Sequence, residues 1–137
     1  MGEFITRTML AEQLSDFGFE HFVDSDGDVG GLGPGFRFYL FPVDDSEWVR
    51  YFAMLDQEFE SGARPWLLDR LNEWNGTRMG PHAYTEPAPD GRLAVCLGDL
   101  YVAYRDDPKT VQAEIVRWVL MSDKFVEWLE SQGEPVV

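Results

Sequence analysis

Three aspartates at alternate positions are the strongest candidate for ligand chemistry in the sequence. Asp24, Asp26 and Asp28 occupy the first, third and fifth positions of an EF-hand-like pattern, whose carboxylates bind calcium. The pattern then fails, because the sixth position is Val29 instead of glycine and the twelfth is Gly35 instead of a bidentate glutamate. The three aspartates are therefore weak candidate metal ligands. Sensing of an ion or small molecule by this acidic, glycine-rich segment is the alternative function that the sequence offers.

Other chemically reactive side chains are few and lie in unsuitable contexts. The single cysteine, Cys96, is flanked by Val95 and Leu97, as expected of an inert buried thiol. His21 and His82 lack the close spacing of metal-binding histidines, and no serine has the Gly-x-Ser-x-Gly context of a hydrolase nucleophile. The sequence therefore predicts a protein that is not an enzyme, with no catalytic residue, no metal and no cofactor.

Two asparagines, Asn72 and Asn75, lie on either side of Trp74 near the end of a predicted helix. The pair Asn75-Gly76 is typical of a helix stop, and Asn72 is suited to bonding backbone groups near that turn. A contact with a ligand or an interface is the alternative interpretation of these two side chains.

Hydrophobic periodicity places these residues on a series of helices and strands. Helices are predicted over residues 6–17, from Pro65 to Asn75, and from Pro108 onward with Asp107 as its N-cap and a break expected at Ser122-Asp123. The predicted strands are residues 19–23, 36–43 and 48–55 and the two arms of a hairpin over 82–103 that turns at 89–91. Residues 24–35 are predicted to form a glycine-rich hairpin loop.

These elements predict an α+β fold in a single domain that spans residues 1–137. Their order is α-β-β-β-α-β-β-α, and the short connections between strands imply an antiparallel sheet with the helices packed mainly on one face. At roughly 100–200 residues per domain, 137 residues make one domain.

Composition and charge exclude several classes of function. A hydrophobic content of 45% excludes general disorder, and no apolar run approaches the ~20 residues of a membrane span. The net charge of −14 argues against direct binding to nucleic acid or to an anionic membrane. Residues 1–62 hold 13 of the 25 acidic residues and three of the 11 basic ones, so the first half is the more acidic. A single cysteine and no secretory signal are typical of a cytoplasmic protein.

Strand alternation predicts an unusually aromatic sheet face. Arg37 shares a face with Tyr39 and Phe41 in one strand, and Arg50 shares a face with Trp48 and Phe52 in the next. If the arginines mark the side without helices, Tyr39, Phe41, Trp48 and Phe52 form an apolar patch of the kind that marks a partner or dimer interface. The alternative is that a register shift or bulge turns these side chains into the core.

A pattern of short segments lies within about residues 62–130, namely Leu71-Asn72-Glu73-Trp74-Asn75, Ala83-Tyr84, Gly91-Arg92-Leu93-Ala94-Val95 and Asp99-Leu100. The resemblance is to the YbjN-like family, which is often described as regulators of sensory transduction. It implies a fold akin to type III secretion chaperones, which are small, acidic, commonly dimeric proteins that bind other proteins. It supplies no catalytic residues, and it links the chain loosely to stress responses.

Taken together, the sequence predicts a cytoplasmic, non-catalytic protein-binding module, either a chaperone-like protein or a regulatory adaptor. Its partner is expected to be a protein with a basic face, including proteins whose own basic face normally meets nucleic acid. A homodimer is also expected.

Overall fold

Three helices lie against a six-stranded antiparallel sheet within residues 6–44, 46–77, 80–103 and 108–137, which the computed structural model describes. The helices are α1 (Arg7–Asp16), α2 (Arg64–Thr77) and α3 (Pro108–Glu130). The strands are β1 (His21–Val23), β2 (Val29–Gly33), β3 (Phe36–Pro42), β4 (Trp48–Phe59), β5 (His82–Pro87) and β6 (Leu93–Ala103). Short 3-10 helices occupy Ser61–Ala63 and Pro89–Gly91. The strands lie in the order β1-β2-β3-β4-β6-β5, which confirms the α+β class and the antiparallel sheet.

The core lies between the helices and one face of the sheet. Phe36, Phe38 and Leu40 alternate along β3 and are fully buried. Helix α3 contacts β3, β4 and β6, while α1 contacts β1, β2 and β3, and α2 contacts β5. Helices α2 and α3 meet through Trp74 and Phe125, whose ring centroids are 4.9 Å apart in an edge-to-face arrangement. The helices therefore pack on one side of the sheet, as the sequence predicts.

The predicted loop over residues 24–35 is wrong in part, because it contains the additional strand β2. Residues 24–28 form a tight turn, closed by two backbone N–H groups that donate to Asp24 Oδ1 at 2.9 Å. The strand that follows pairs with β3, and Gly31 lies directly opposite Phe38. A Cβ atom at Gly31 would lie 2.2 Å from Phe38 Cζ, and one at Gly33 would lie 2.2 Å from Phe36 Cζ. Glycine is therefore present because aromatic rings of the neighbouring strand cover the backbone.

The ends of α1 and α2 lie within two residues of the predicted ones. Helix α1 begins after Thr6, whose Oγ1 accepts from the Met9 N–H at 3.2 Å. Helix α2 continues past Gly76 to Thr77. The predicted N-cap of α3, Asp107, lies outside the described residues.

The expected break in α3 at Ser122-Asp123 is wrong, since the helix is continuous from Pro108 to Glu130. The buried Ser122 hydroxyl donates to the Trp118 carbonyl at 2.9 Å and lies 2.7 Å from the Tyr51 hydroxyl. With its one proton directed to Trp118, Ser122 accepts the proton of Tyr51. Because the Ser122 hydroxyl forms its hydrogen bonds within α3 and with β4, it does not compete for the backbone bonds of the helix, and the helix continues.

The hairpin of β5 and β6 turns at Pro89–Gly91, as the sequence predicts. Asp90 and Gly91 have φ angles of 61° and 71°, in the left-handed region that a tight hairpin turn requires. Within the part of the chain that the structure describes, no helix combines the length and the apolar content needed to cross a membrane.

Candidate protein-binding face

The side of the sheet that faces away from the helices carries an aromatic surface, which we call the open face. Its principal side chains are Phe22, Arg37, Tyr39, Phe41, Trp48, Arg50, Phe52 and Tyr101. Along β4, Val49, Tyr51 and Ala53 are fully buried, whereas Trp48 is 46% exposed and Phe52 is half-buried. The four aromatic residues singled out in the sequence therefore lie on the helix-free side, and the alternative in which they enter the core does not occur.

Tyr39 is the centre of a ring cluster on this face. Its ring centroid lies 5.6 Å from that of Phe22 in an edge-to-face arrangement. It lies 5.8 Å from that of Phe41 in a stacked arrangement and 6.4 Å from that of Phe52. Strands β1, β3 and β4 each contribute to the cluster, so the sheet itself fixes the spacing of the rings. The result is a contiguous apolar surface that the described helices do not cover.

Two arginines of the open face, Arg37 and Arg50, are held against this surface. The Arg50 guanidinium lies 5.0 Å from the centroid of the Phe41 ring, and its Nε donates to Asp99 Oδ1 at 2.9 Å. The guanidinium of Arg37 lies 3.8 Å from the sulfur of Met54. Arg50 therefore lies over an aromatic ring, an arrangement in which arginine contributes to protein interfaces, and Arg37 contacts the sulfur of a methionine.

Tyr101 extends the open face at the Trp48 end, and strand alternation along β6 misses it. Simple alternation would place Tyr101 with Leu93 and Leu97 in the core. A bulge opposite Phe52 inserts one extra residue in β6, after which Tyr101 lies opposite Arg50 on the open face. Tyr101 is 51% exposed and, with Trp48, borders a shallow apolar cleft. The sequence signal for this bulge is Gly98, because an isolated glycine inside a strand often marks one.

Acidic residues lie in two turns at one end of the open face, while charges on the face are largely paired. Asp24, Asp26 and Asp28 lie in the turn between β1 and β2, and Asp44 and Glu47 lie between β3 and β4. On the face, Arg50 pairs with Asp99 at 2.9 Å, and Arg92 lies 3.8 Å from Glu58. The apolar centre thus has paired charges beside it and acidic turns at one end.

The three aspartates of the first turn do come together, with one oxygen from each within 4.8 Å of the others. Their contacts are those of a structural turn. Asp24 Oδ1 accepts from the N–H groups of Asp26 and Asp28, and Asp28 Oδ1 accepts from the guanidinium of Arg7 at 3.2 Å. Arg7 therefore places a positive charge beside one of the three carboxylates, that of Asp28.

The remaining candidates from the sequence have structural roles or lie apart. His21 and His82 are exposed on the two edge strands of the sheet, at opposite ends of the strand order. Asn75 Oδ1 accepts from the Ala83 N–H at 2.8 Å, and Asn75 Nδ2 donates to the Ala83 carbonyl at 2.9 Å. This double contact ties α2 to β5, so the ligand interpretation of Asn75 is not supported. Asn72 is exposed.

Cys96 is fully buried on β6, as the sequence predicts for an inert thiol. Burial, reinforced by the charges of Glu86 and Asp99, raises its pKa from 9.0 to about 11. Burial, reinforced by Cys96 and by the same two carboxylates, raises the pKa of Tyr84 to about 12. Burial also raises the pKa of Tyr51 above its ordinary value, although its hydrogen bond with Ser122 opposes the change.

These raised pKa values predict that the protein loses stability in alkaline solution. Above pH 9.0 the folded chain retains protons that the unfolded chain releases. The free energy of unfolding is therefore at its maximum below pH 9.0 and falls as the pH rises toward 11. Urea unfolding from about pH 8 to about pH 10.5 measures this fall. The Cys96→Ala variant should show a shallower decline than the parent. Equal slopes for the two proteins would show that Cys96 does not contribute.

Comparison with known proteins identifies relatives of the chain. Residues 6–131 match the family model "YbjN: Putative bacterial sensory transduction regulator". A solved structure, "Crystal structure of YbjN, a putative transcription regulator from E. coli", superposes with a TM-score of 0.65 at 19% sequence identity. The superposition covers 96% of this chain and 97% of the E. coli chain, which shows that the two share a fold. No curated protein matches the chain.

Proposed function

Because the chain belongs to the YbjN family, whose members are described as regulators, we propose that it is a non-catalytic regulatory adaptor that binds a protein through its open face. The observation that carries the proposal is the contiguous cluster of Phe22, Tyr39, Phe41 and Phe52 on the helix-free side of the sheet. A soluble domain rarely leaves such a surface uncovered unless a partner binds there.

The composition of the open face supports this role. Tryptophan, tyrosine and arginine are the residue types that contribute most to binding energy at protein interfaces. Trp48, Arg50 and Tyr101 lie together at one end of the face, where Arg50 is directly opposite Tyr101. Trp48 and Tyr101 are the most exposed rings of the surface, so they are the side chains best placed to enter a pocket of the partner.

The charges indicate the chemistry of the partner. An apolar centre with paired charges and with acidic turns at one end suits a protein whose own apolar patch has basic residues at the matching end. Such proteins include those whose basic surface normally contacts nucleic acid. The E. coli relative is described as a transcription regulator. In our proposal any effect on transcription passes through a protein, because a net charge of −14 opposes direct contact with phosphates.

We also propose that the open face binds a second copy of the chain. Ion pairs such as Arg50–Asp99 and Arg92–Glu58 place both signs of charge on it, so two copies can face each other without net repulsion at the centre. Homodimer formation and partner binding then compete for one surface. We place this adaptor in the cytoplasm, since a single cysteine is typical of proteins there. Its chaperone-like character and its link to stress responses are those that the family resemblance implies.

The substitution Phe41→Glu tests the proposal. It puts a carboxylate in the centre of the apolar cluster, so we expect self-association and recovery of partner to fall roughly tenfold or more. Light scattering measures the mass in solution, and an affinity pull-down from cell lysate measures the recovery of partner. Leu120→Glu is the matched control, since Leu120 is 55% exposed on α3, on the helical side of the molecule.

The outcome depends on the fold being intact, which circular dichroism and thermal unfolding establish for each variant. Trp48→Ala provides a second test, because this exposed side chain can be truncated without opening the core. Unchanged mass and unchanged partner recovery in folded Phe41→Glu and Trp48→Ala proteins would refute the proposal. Equal losses in Leu120→Glu would also refute it.

A further inference from the structure

A small cavity lies on the helical side of the sheet, away from the open face. Apolar side chains of three elements form its walls, namely Leu55 and Phe59 of β4, Trp66 of α2, and Val126 and Leu129 of α3. Gly133 and Pro135, in the segment after α3, close a further side. The cavity has a volume of about 190 Å³, slightly more than the roughly 150 Å³ that suffices to hold a benzene ring in an apolar protein cavity.

Local backbone geometry keeps this space open. The register of β4 against β6 shifts between Met54 and Glu58, which brings Asp56 and Gln57 to the mouth of the cavity. Gly35, with φ of +80°, lies at another side, and its carbonyl accepts from the Asp56 N–H at 3.0 Å. A Cβ atom at Gly35 would lie 3.2 Å from Val126 Cγ1, so a side chain there would crowd the wall.

The mouth of the cavity is negatively charged. Asp56 and Glu130 both line it, and no lysine, arginine or histidine is among its lining residues. Both carboxylates are exposed, and the ion pairs between described residues include neither of them. A ligand that places an apolar body against Trp66 and Leu129 would therefore have its outer end beside two available carboxylates. Positive charge at that end is favoured, and negative charge is opposed.

We propose that this cavity binds a small organic cation, a primary amine attached to an aromatic or branched aliphatic body. The apolar body occupies the space between β4, α2 and α3, and the ammonium group lies between Asp56 and Glu130. The site is independent of the open face, because its walls belong to the helical side of the sheet. The proposal adds a ligand-sensing site to the adaptor role and does not depend on that role.

Calorimetry with phenethylamine tests the site. We expect saturable binding with a Kd on the order of 1 mM, as is usual for so small a ligand. Two compounds of similar shape measure the effect of ligand charge on affinity: 2-phenylethanol is neutral, and 3-phenylpropionate is negative. The alcohol should bind roughly threefold to tenfold more weakly than the amine, the acid should bind still more weakly, and added salt should reduce the difference.

Two variants locate the binding. The double substitution Asp56→Asn and Glu130→Gln changes exposed groups only, so the protein should fold and bind the amine with the affinity of the alcohol. Val126→Phe fills the cavity and should abolish binding of all three compounds, provided that thermal unfolding shows an intact fold. The absence of saturation up to roughly 10 mM phenethylamine would overturn the proposal. Equal affinity for amine and alcohol, or unchanged amine binding in the folded Asp56→Asn and Glu130→Gln protein, would overturn it as well.

Discussion

Replacement of Gly31 by alanine is expected to reduce the free energy of unfolding by about 2–3 kcal/mol. The added methyl group would lie 2.2 Å from Cζ of Phe38, well inside contact distance. Phe38 is fully buried, and its ring packs against Phe19, Phe36 and Tyr51 at centroid distances of 6.1, 6.4 and 5.7 Å. The ring therefore has no open space to move into, so either the core or the pairing of β2 with β3 must shift. Chemical denaturation of the two proteins measures the loss.

Gly76→Ala is the matched control for this prediction. Gly76 is exposed in α2, and a Cβ atom there would meet no heavy atom within 4 Å. Alanine is the better helix former, so this variant should gain about 0.5–1 kcal/mol. If Gly31→Ala is as stable as Gly76→Ala, the close approach of Phe38 to the β2 backbone is wrong. Addition of Phe38→Leu to Gly31→Ala should recover part of the loss, since the shorter side chain relieves the contact.

The glycines of β2 also explain why the sequence predicts a loop where the chain forms a strand. Propensity rules associate Gly30, Gly31 and Gly33 with turns, because glycine is flexible and has no side chain to pack. In this protein aromatic rings of the neighbouring strands cover the glycine backbone, where side chains of β2 would otherwise lie. Phe38, opposite Gly31, is one of these rings. Such pairing depends on two strands together, so the residues of one strand alone do not predict it.

The aromatic stripe of the open face, by contrast, could be predicted from the sequence. Regular alternation in β3 and β4 fixes the side on which Tyr39 and Phe52 lie, and the polar Arg37 and Arg50 identify that side as the one without helices. Alternation alone misplaces Tyr101, because one inserted residue in β6, next to Gly98, reverses the alternation. The cavity between β4, α2 and α3 forms where three elements meet at a β-bulge, so the local sequence pattern of any one element does not predict it.

Asn75→Ala is expected to reduce the free energy of unfolding by about 2–3 kcal/mol. The amide of Asn75 bonds both the N–H and the carbonyl of Ala83, at 2.8 and 2.9 Å. Ala83 is 2% exposed, so water cannot easily replace the lost partner, and two backbone groups would remain unsatisfied. Asn72→Ala is the control, because Asn72 is exposed on the same helix and its removal should change stability by less than about 0.5 kcal/mol.

The same substitution should also make the protein prone to self-association through strand edges. Strand β5 is at one end of the sheet order, so its outer backbone groups have no neighbouring strand, and at Ala83 the side chain of Asn75 takes that place. Light scattering at raised temperature should therefore show earlier aggregation for Asn75→Ala than for Asn72→Ala. If the two variants match in both stability and aggregation, Asn75 has no such role. Its position in the Leu71-Asn72-Glu73-Trp74-Asn75 segment would then call for a ligand or partner that contacts it, because the fold would no longer account for it.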